Sequence, residues 1–214
     1  MSLKEIKAHQ QTFLKNQKAR TKSAMYTIQG IEISVHAGVF PPATDTKLLV
    51  SHIKVAKGVR VLDLTTGSGI TSIVAGLQGA TGIAVDINPK AIENAIENFS
   101  RYEVKMNTIL SNLFQNVPVE KFDQIYANGP FIEGKITDTL DYSCYGAKEF
   151  MRNFLINLKQ YLKPTGYAFI VLAEWSDMDY FNKLVSENNL RVAWIDKKLS
   201  DDKCRKYNLF KVSL

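Results

Sequence analysis

Two carboxylates and two glycines stand where one apolar run after another hands the chain on to a helical pattern. In Val61-Leu-Asp-Leu-Thr-Thr-Gly-Ser-Gly-Ile-Thr the run ends on Asp63, and the chain turns through Gly67 and Gly69. Glycines at such a turn let backbone approach a ligand closely, and ligands of alternating strand–helix sheets bind at this carboxyl edge. Asp86 ends the next run at about the 20-residue spacing that lets an acid reach ribose hydroxyls. That pair suits many adenosine ligands. Asp63 narrows the choice, because an anion beside the turn opposes a pyrophosphate at the helix N-terminus and attracts a cation. S-adenosylmethionine is cationic and free of phosphate, whereas NAD is not. Ser72 in place of a third fingerprint glycine points the same way.

Alternating strands and helices must position these groups. Periodicity predicts strands at Val59–Leu64, Gly82–Ile87, Lys105–Leu110, Gln124–Asn128 and Tyr167–Leu172, with helices at Gly69–Leu77, Pro89–Tyr102, Gly146–Leu162 and Asp177–Asn188. Asn88-Pro89 is a helix start, a capping side chain ahead of proline at the first helical position. Arg191–Leu199 and Arg205–Leu214 are joined by Ser200-Asp201-Asp202-Lys203, too short for a crossover helix, so they pair antiparallel. The expected fold is α/β: a mostly parallel, seven-stranded, Rossmann-like sheet closed by a C-terminal antiparallel hairpin, with helices on both faces. Upstream, residues 24–35 alternate around Gln29-Gly30 as a short hairpin, and after Pro41-Pro42 either Thr44 or Asp45 caps a helix through Leu48, Leu49 and Ile53. The expected division is residues 1–38 as a basic helix and hairpin packed on the core, and 39–214 as the catalytic domain.

With those elements in place, D-L-T-T-G-S-G and V-D-I-N-P-K-A resemble motifs I and II of class I S-adenosylmethionine-dependent methyltransferases. The resemblance implies that Asp63, Gly67 and Gly69 hold the methionine part of the cofactor and Asp86 the ribose. Thr65 stands where the family usually has glycine, which would tighten the pocket. Leu110-Ser-Asn-Leu-Phe resembles the stretch that contacts the adenine amino group, here through Asn112, whose amide oxygen can accept that bond. Val39-Phe-Pro-Pro-Ala-Thr-Asp-Thr-Lys-Leu-Leu is similar to the segment ahead of motif I in HemK-like release-factor glutamine methyltransferases and their small-methyltransferase relatives, which implies a cofactor contact from Thr46. Tyr145-Gly-Ala-Lys-Glu-Phe-Met resembles the entry to the helix after their substrate loop.

Tyr126-Ala-Asn-Gly-Pro-Phe-Ile resembles the N-P-P-Y motif of enzymes that methylate planar nitrogens. Such nitrogens are poor nucleophiles because the lone pair is delocalised. By resemblance, the Asn128 side-chain oxygen and the Gly129 carbonyl accept the two N–H bonds and favour charge developing on nitrogen, while Phe131 stacks on the flat acceptor and Pro130 completes the catalytic motif. Gly129 replaces the first proline, keeping the carbonyl and losing the stiffness. The polar stretch from Glu133 to Ser143 reads equally as a substrate lid or an exposed loop.

The expected activity is therefore N-methylation of a planar amide or amino nitrogen on a macromolecular acceptor. HemK-like segments place a protein glutamine first, while the basic arm and an isoelectric point near 9.2 point to an exocyclic amine of RNA or DNA. A non-catalytic cofactor-binding subunit and a NAD-dependent oxidoreductase stand behind these; Asp63 opposes the latter. Net charge is +6 over 214 residues, and the first 22 carry Lys4, Lys7, Lys15, Lys18, Arg20 and Lys22 against Glu5. This arm either contacts RNA or an acidic partner or docks through Ile6, Phe13 and Leu14. Cys144, Cys204 and the three scattered histidines offer no zinc spacing, so free thiols and no metal are expected. No apolar run is long enough to span a bilayer, and the first residues lack a secretory signal's apolar core, so the expected location is cytoplasmic, away from membranes.

Overall fold

Strand and helix follow the apolar punctuation closely in the computed structural model, which describes residues 2–214. The chain runs α1 (Leu3–Ala19), β1 (Ala24–Ile28), β2 (Ile31–Val35), α2 (Thr44–Val50), β3 (Arg60–Asp63), α3 (Ile70–Leu77), β4 (Thr81–Asp86) and α4 (Pro89–Tyr102). It continues through β5 (Met106–Leu110), β6 (Phe122–Ala127), α5 (Ala147–Tyr161), β7 (Leu162–Ala173), α6 (Met178–Glu187), β8 (Arg191–Leu199) and β9 (Lys206–Ser213).

The main sheet has the order β5-β4-β3-β6-β7-β9-β8. Its first five strands are parallel, and β9 lies antiparallel to both β7 and β8. Strand order therefore reverses between β3 and β6, and the loops leaving those two neighbours open a crevice at their carboxyl ends. Alternation along each strand sends side chains to opposite faces. Val61, Ala84, Tyr126 and Phe169 pack with α2, α3 and α4, whereas Leu62, Ile83, Ile125 and Ile170 pack with α5 and α6.

Most differences from expectation lie at element ends. β6 begins at Phe122 and releases the chain before Asn128, so that asparagine opens a loop. β7 starts at Leu162 because Leu162 pairs with Phe122, ahead of a register irregularity at Gln124. Helix α2 has Ala43 as N-cap with no capping side chain. The Asp45 carboxylate is instead turned toward Asn128, which corrects the expected Thr44 or Asp45 cap.

The β1–β2 hairpin turns through Gln29 and Gly30, both at positive φ, as a two-residue hairpin turn demands. The outer edge of β2 is satisfied by side chains of α4. Ser34 N–H donates to Asn98 Oδ1, and the Ser34 carbonyl accepts from Asn94 and Asn98; both asparagines are fully buried. Asn98 also donates to the Ser68 carbonyl at 2.9 Å, tying hairpin and α4 to the glycine turn. A capped edge of this kind does not recruit a further strand.

Candidate active site

A cavity of about 650 Å³ opens where β3 and β6 part company, within the range of pockets that enclose a cofactor-sized ligand. Its floor is the glycine turn, hung between strands by Leu64 N–H donating to the Tyr126 carbonyl and Thr66 N–H to the Val85 carbonyl. Gly67, at φ +54°, faces open space. Its N–H donates to Asp86 Oδ2 at 2.9 Å, and Asn88 N–H donates to Oδ1 at 2.9 Å. These bonds fix the Asp86 carboxylate at the cavity wall, where it can still accept from a ligand. Burial raises its pKa, against the pull of the Asn88 and Gly67 amides.

Asp63 and Gly69 lie behind this wall rather than on it. Asp63 is 1% exposed and accepts from Ser72 Oγ at 2.9 Å. Burial pushes its carboxyl up to about 6, with the nearby Asp86 charge adding and the Ser72 hydroxyl opposing. An acid so placed acts on the cavity through its field, which weakens only slowly across apolar protein. Gly69 is the N-cap of α3 at φ +90°, and a Cβ there would lie 2.7 Å from the Phe99 ring and 3.3 Å from Ala95 Cα. Its absent side chain lets α3 approach α4.

The loop after β6 brings Asn128, Gly129, Pro130 and Phe131 to the same cavity, facing Thr46, Thr65, Gly67, Asp86 and Asn112. Asn128 is braced from two sides. Its backbone N–H donates to Thr65 Oγ1 at 2.9 Å, so the residue in place of the usual glycine supports the loop after β6. Its Nδ2 donates to Asp45 Oδ2 at 2.9 Å and Thr46 Oγ1 at 3.2 Å. A carboxylate only accepts hydrogen bonds, so it selects the amide rotamer with nitrogen inward. Oδ1 is left enclosed with no partner, an arrangement that costs free energy unless a ligand N–H completes it. Burial raises the Asp45 pKa, opposed by the Asn128 amide and the Arg205 charge.

Phe131 is 8% exposed, packed against Trp175 (centroids 6.5 Å apart) and Tyr207 (5.5 Å). Little of its ring is free for stacking. Phe150, from the first turn of α5, and Tyr142 supply further aromatic surface along the wall.

Two elements that sequence left undecided complete the walls. Ile136, Leu140 and Tyr142 of the 133–143 segment face the cavity, and Asp141 orders that segment by accepting from Thr137 N–H, Thr137 Oγ1 and Asp138 N–H. Helix α1 lies against it. Ile6 and Leu14 share a buried cluster with Ile132, Leu140 and Tyr145, and Lys18 Nζ reaches Asp141 at 2.6 Å and Asp138 at 2.8 Å. Arg20 donates to the carbonyls of Val35, His36 and Val39. His9, Gln10 and Phe13 also face the cavity. Lys18 and Arg20 of the basic arm are thus engaged within the chain.

Sequence reasoning did not single out Phe150 or Arg205, read Asp45 only as a possible helix cap, and left the α1 residues between a docking face and a contact for a partner. The partner that gives Asp45 its place in the site lies 83 residues away.

Fold and site together define a class I S-adenosylmethionine-dependent methyltransferase: a seven-stranded sheet ending in an antiparallel hairpin, a glycine turn after its first central strand, and an acid closing the next. Residues 30–193 match the methyltransferase small domain family, and the chain belongs to it. A candidate protein N5-glutamine methyltransferase of Methanocaldococcus jannaschii is 34% identical over 166 residues, 73% of this chain and 84% of that protein. The release factor glutamine methyltransferase of Fusobacterium nucleatum is 30% identical over 188 residues, 78% of this chain but 53% of that protein. A tRNA1(Val) (adenine(37)-N6)-methyltransferase of a Flavobacteriaceae bacterium is 26% identical, covering 74% and 70%. Among solved structures, ribosomal protein L11 methylase of Lactobacillus delbrueckii superposes with a TM-score of 0.61 at 20% identity, over 82% of each chain. Among the described residues no helix is long and apolar enough to cross a membrane.

Proposed function

We propose that this chain transfers the methyl group of S-adenosylmethionine to the side-chain nitrogen of a protein glutamine. The observation that carries this reading is the enclosed, unpartnered Oδ1 of Asn128, an acceptor left free because the amide nitrogen is committed to the Asp45 carboxylate. With the neighbouring Gly129 carbonyl it forms two acceptors for the two N–H bonds of a planar NH2 group. Accepting both orients the nitrogen and stabilises positive charge as the new bond forms. When bound, the cofactor supplies a methyl group activated by its sulfonium. Asp86 would hold the ribose, Asn112 the adenine amine, and Thr46, Thr65 and Gly67 would border the ligand, with Asp63 and Asp86 favouring its positive charge. No base is needed before transfer, because the extra proton can leave nitrogen afterwards. Residues 39–214 form the transferase in this reading, with residues 1–38 roofing its acceptor side.

Glutamine is favoured over a base amine by charge at the site. Although the chain carries +6, the cavity is bordered by Asp45, Asp86, Glu149, Asp201 and Asp202 against only Lys47 and Arg205. That field suits the cationic cofactor and a neutral amide, and repels phosphates flanking a nucleobase. The two relatives of 30% identity or more described above are named for glutamine, while the 26% relative is named for a tRNA adenine.

The test is methyl transfer from radiolabelled S-adenosylmethionine to purified release factor and, in parallel, to cell extract split by protease and nuclease. Protease-sensitive label on a glutamine, lowered about a hundredfold by Asn128→Ala, supports the reading. Nuclease-sensitive label moves the acceptor to RNA or DNA, and transfer indifferent to Asn128→Ala overturns the role of the loop.

A further inference from the structure

The acceptor loop has its most pliant residue where pliancy costs most. Gly129 lies between Asn128 and Pro130, and in the proposed function its carbonyl receives one of the acceptor's two N–H bonds. Glycine samples more backbone conformations than any other residue, so ordering its backbone carries a larger entropic cost. An acceptor carbonyl displaced by an ångström loses much of the benefit of orientation.

One side chain restrains this glycine. A Cβ at Gly129 would lie 2.2 Å from Cζ of Phe150 and 2.4 Å from both Cε atoms, so the end of the ring abuts the Gly129 backbone. Phe150 has little room to withdraw. It is 7% exposed, its N–H is bonded to the Gly146 carbonyl at 3.0 Å, and its ring lies parallel to that of Phe154, 6.3 Å away at 5°. Gly129 and Phe150 both border the cavity. Any side chain at this position would have to displace the ring, which occupies the space of a Cβ.

We propose that Phe150 is a positioning residue for methyl transfer, its ring pinning the Gly129 peptide so that the carbonyl stays aimed at the acceptor nitrogen. Stiffness that a ring within the loop would supply covalently comes here from α5 by packing. The proposal rests on the reading of Asn128 and Gly129 as the acceptor pair.

The experiment compares Phe150→Ala, Phe150→Leu, Gly129→Ala and the Phe150→Ala/Gly129→Ala double variant, each bound to S-adenosylhomocysteine. Amide exchange across residues 128–132, read by mass spectrometry, should be about tenfold faster in Phe150→Ala and intermediate in Phe150→Leu. Exchange in β3 and β4 and the affinity for S-adenosylhomocysteine should stay within about twofold. Methyl transfer should lose about tenfold in kcat with KM for S-adenosylmethionine unchanged. Gly129→Ala alone should also lose activity, because its methyl meets the ring. In the double variant that methyl enters the vacated space and restricts the backbone, so exchange slows and part of kcat returns, a non-additivity that mere packing loss does not produce. Unchanged exchange at 128–132 in folded Phe150→Ala overturns the proposal, as does additivity in the double variant; if Phe150→Ala does not fold, Phe150→Leu decides on the same readouts. Full activity of Phe150→Ala beside an inactive Asn128→Ala overturns this proposal alone, whereas full activity of Asn128→Ala overturns the acceptor-pair reading beneath it.

Discussion

The amide nitrogen of Asn128 donates to the Asp45 carboxylate at 2.9 Å across 83 residues of sequence, and the amide oxygen on the other side has no partner. The pair works as a selector, because the carboxylate cannot face the oxygen without placing two acceptors together. Asp45→Asn removes that discrimination, since a neutral amide can pair with either orientation. The expected result is a fall of about tenfold in kcat, roughly 1.4 kcal/mol, with cofactor affinity unchanged. Burial raises the Asp45 pKa, so protonation should release the amide at a higher pH than for an ordinary carboxyl. The acid limb of the kcat profile should disappear in Asp45→Asn, with Arg205, Tyr207 and Cys144 among the charged and titratable groups left nearby. A variant that keeps that limb would show that another group is responsible.

Asp86 holds Gly67 and Asn88 through their amides and faces the cavity. Asp86→Ala removes both bonds together with an acceptor for a ligand hydroxyl. Calorimetry with S-adenosylhomocysteine should show affinity lowered by at least about tenfold, on the order of one charge-assisted hydrogen bond. Affinity unchanged by the substitution would remove Asp86 from the cofactor site.

Thr65 Oγ1 accepts the Asn128 N–H at 2.9 Å. Thr65→Val keeps the shape and deletes the acceptor, leaving a half-buried amide unpaired at a cost of about 1–3 kcal/mol. Urea unfolding should show a loss in that range, accompanied by a lower kcat because the same bond sets the base of the loop after β6. Equal stability of the two proteins would indicate that water replaces the hydroxyl.

Lys18 and Asp141 bind α1 to the cavity wall at 2.6 Å. Burial works to raise the Asp141 carboxyl, but the Lys18 ammonium and the Thr137 hydroxyl and amide outweigh it and hold it down at about 2. A depressed carboxyl contributes stability that is fully present above its unfolded value of 3.8 and is lost as pH falls toward 2. Asp141→Asn should therefore cost about 2 kcal/mol at pH 7 and progressively less as pH drops below 4. A deficit independent of pH across that window would assign the loss to packing instead of charge.

Local features made the scaffold legible. Gly67, Gly69 and the acids Asp63 and Asp86 were visible because a turn requires particular backbone angles and a strand end is marked by the break in its apolar run. The C-terminal hairpin was visible because Ser200 to Lys203 leaves no room for a crossover. The ends of β6 and β7 were less so, since their limits follow from pairing between Phe122 and Leu162, a long-range contact that propensity does not encode. Within the site, Asn128, Thr65 and Asp45 were each visible in their own segments, yet the bonds that join them could only be seen in space.

By itself the sequence determined the class of sheet, the order of its motifs and the chemistry of a cationic adenosine cofactor, because each depends on residues within a few positions of one another or on a strand-to-strand repeat. Tertiary structure alone decided that Asp63 sits behind the wall, that Asp45 pairs with Asn128, that Phe150 abuts Gly129, and that the basic helix α1 borders the cavity and is tied to Asp141. Those relations join residues tens of positions apart, and only the packing of helices on the two faces of one sheet brings them within bonding distance.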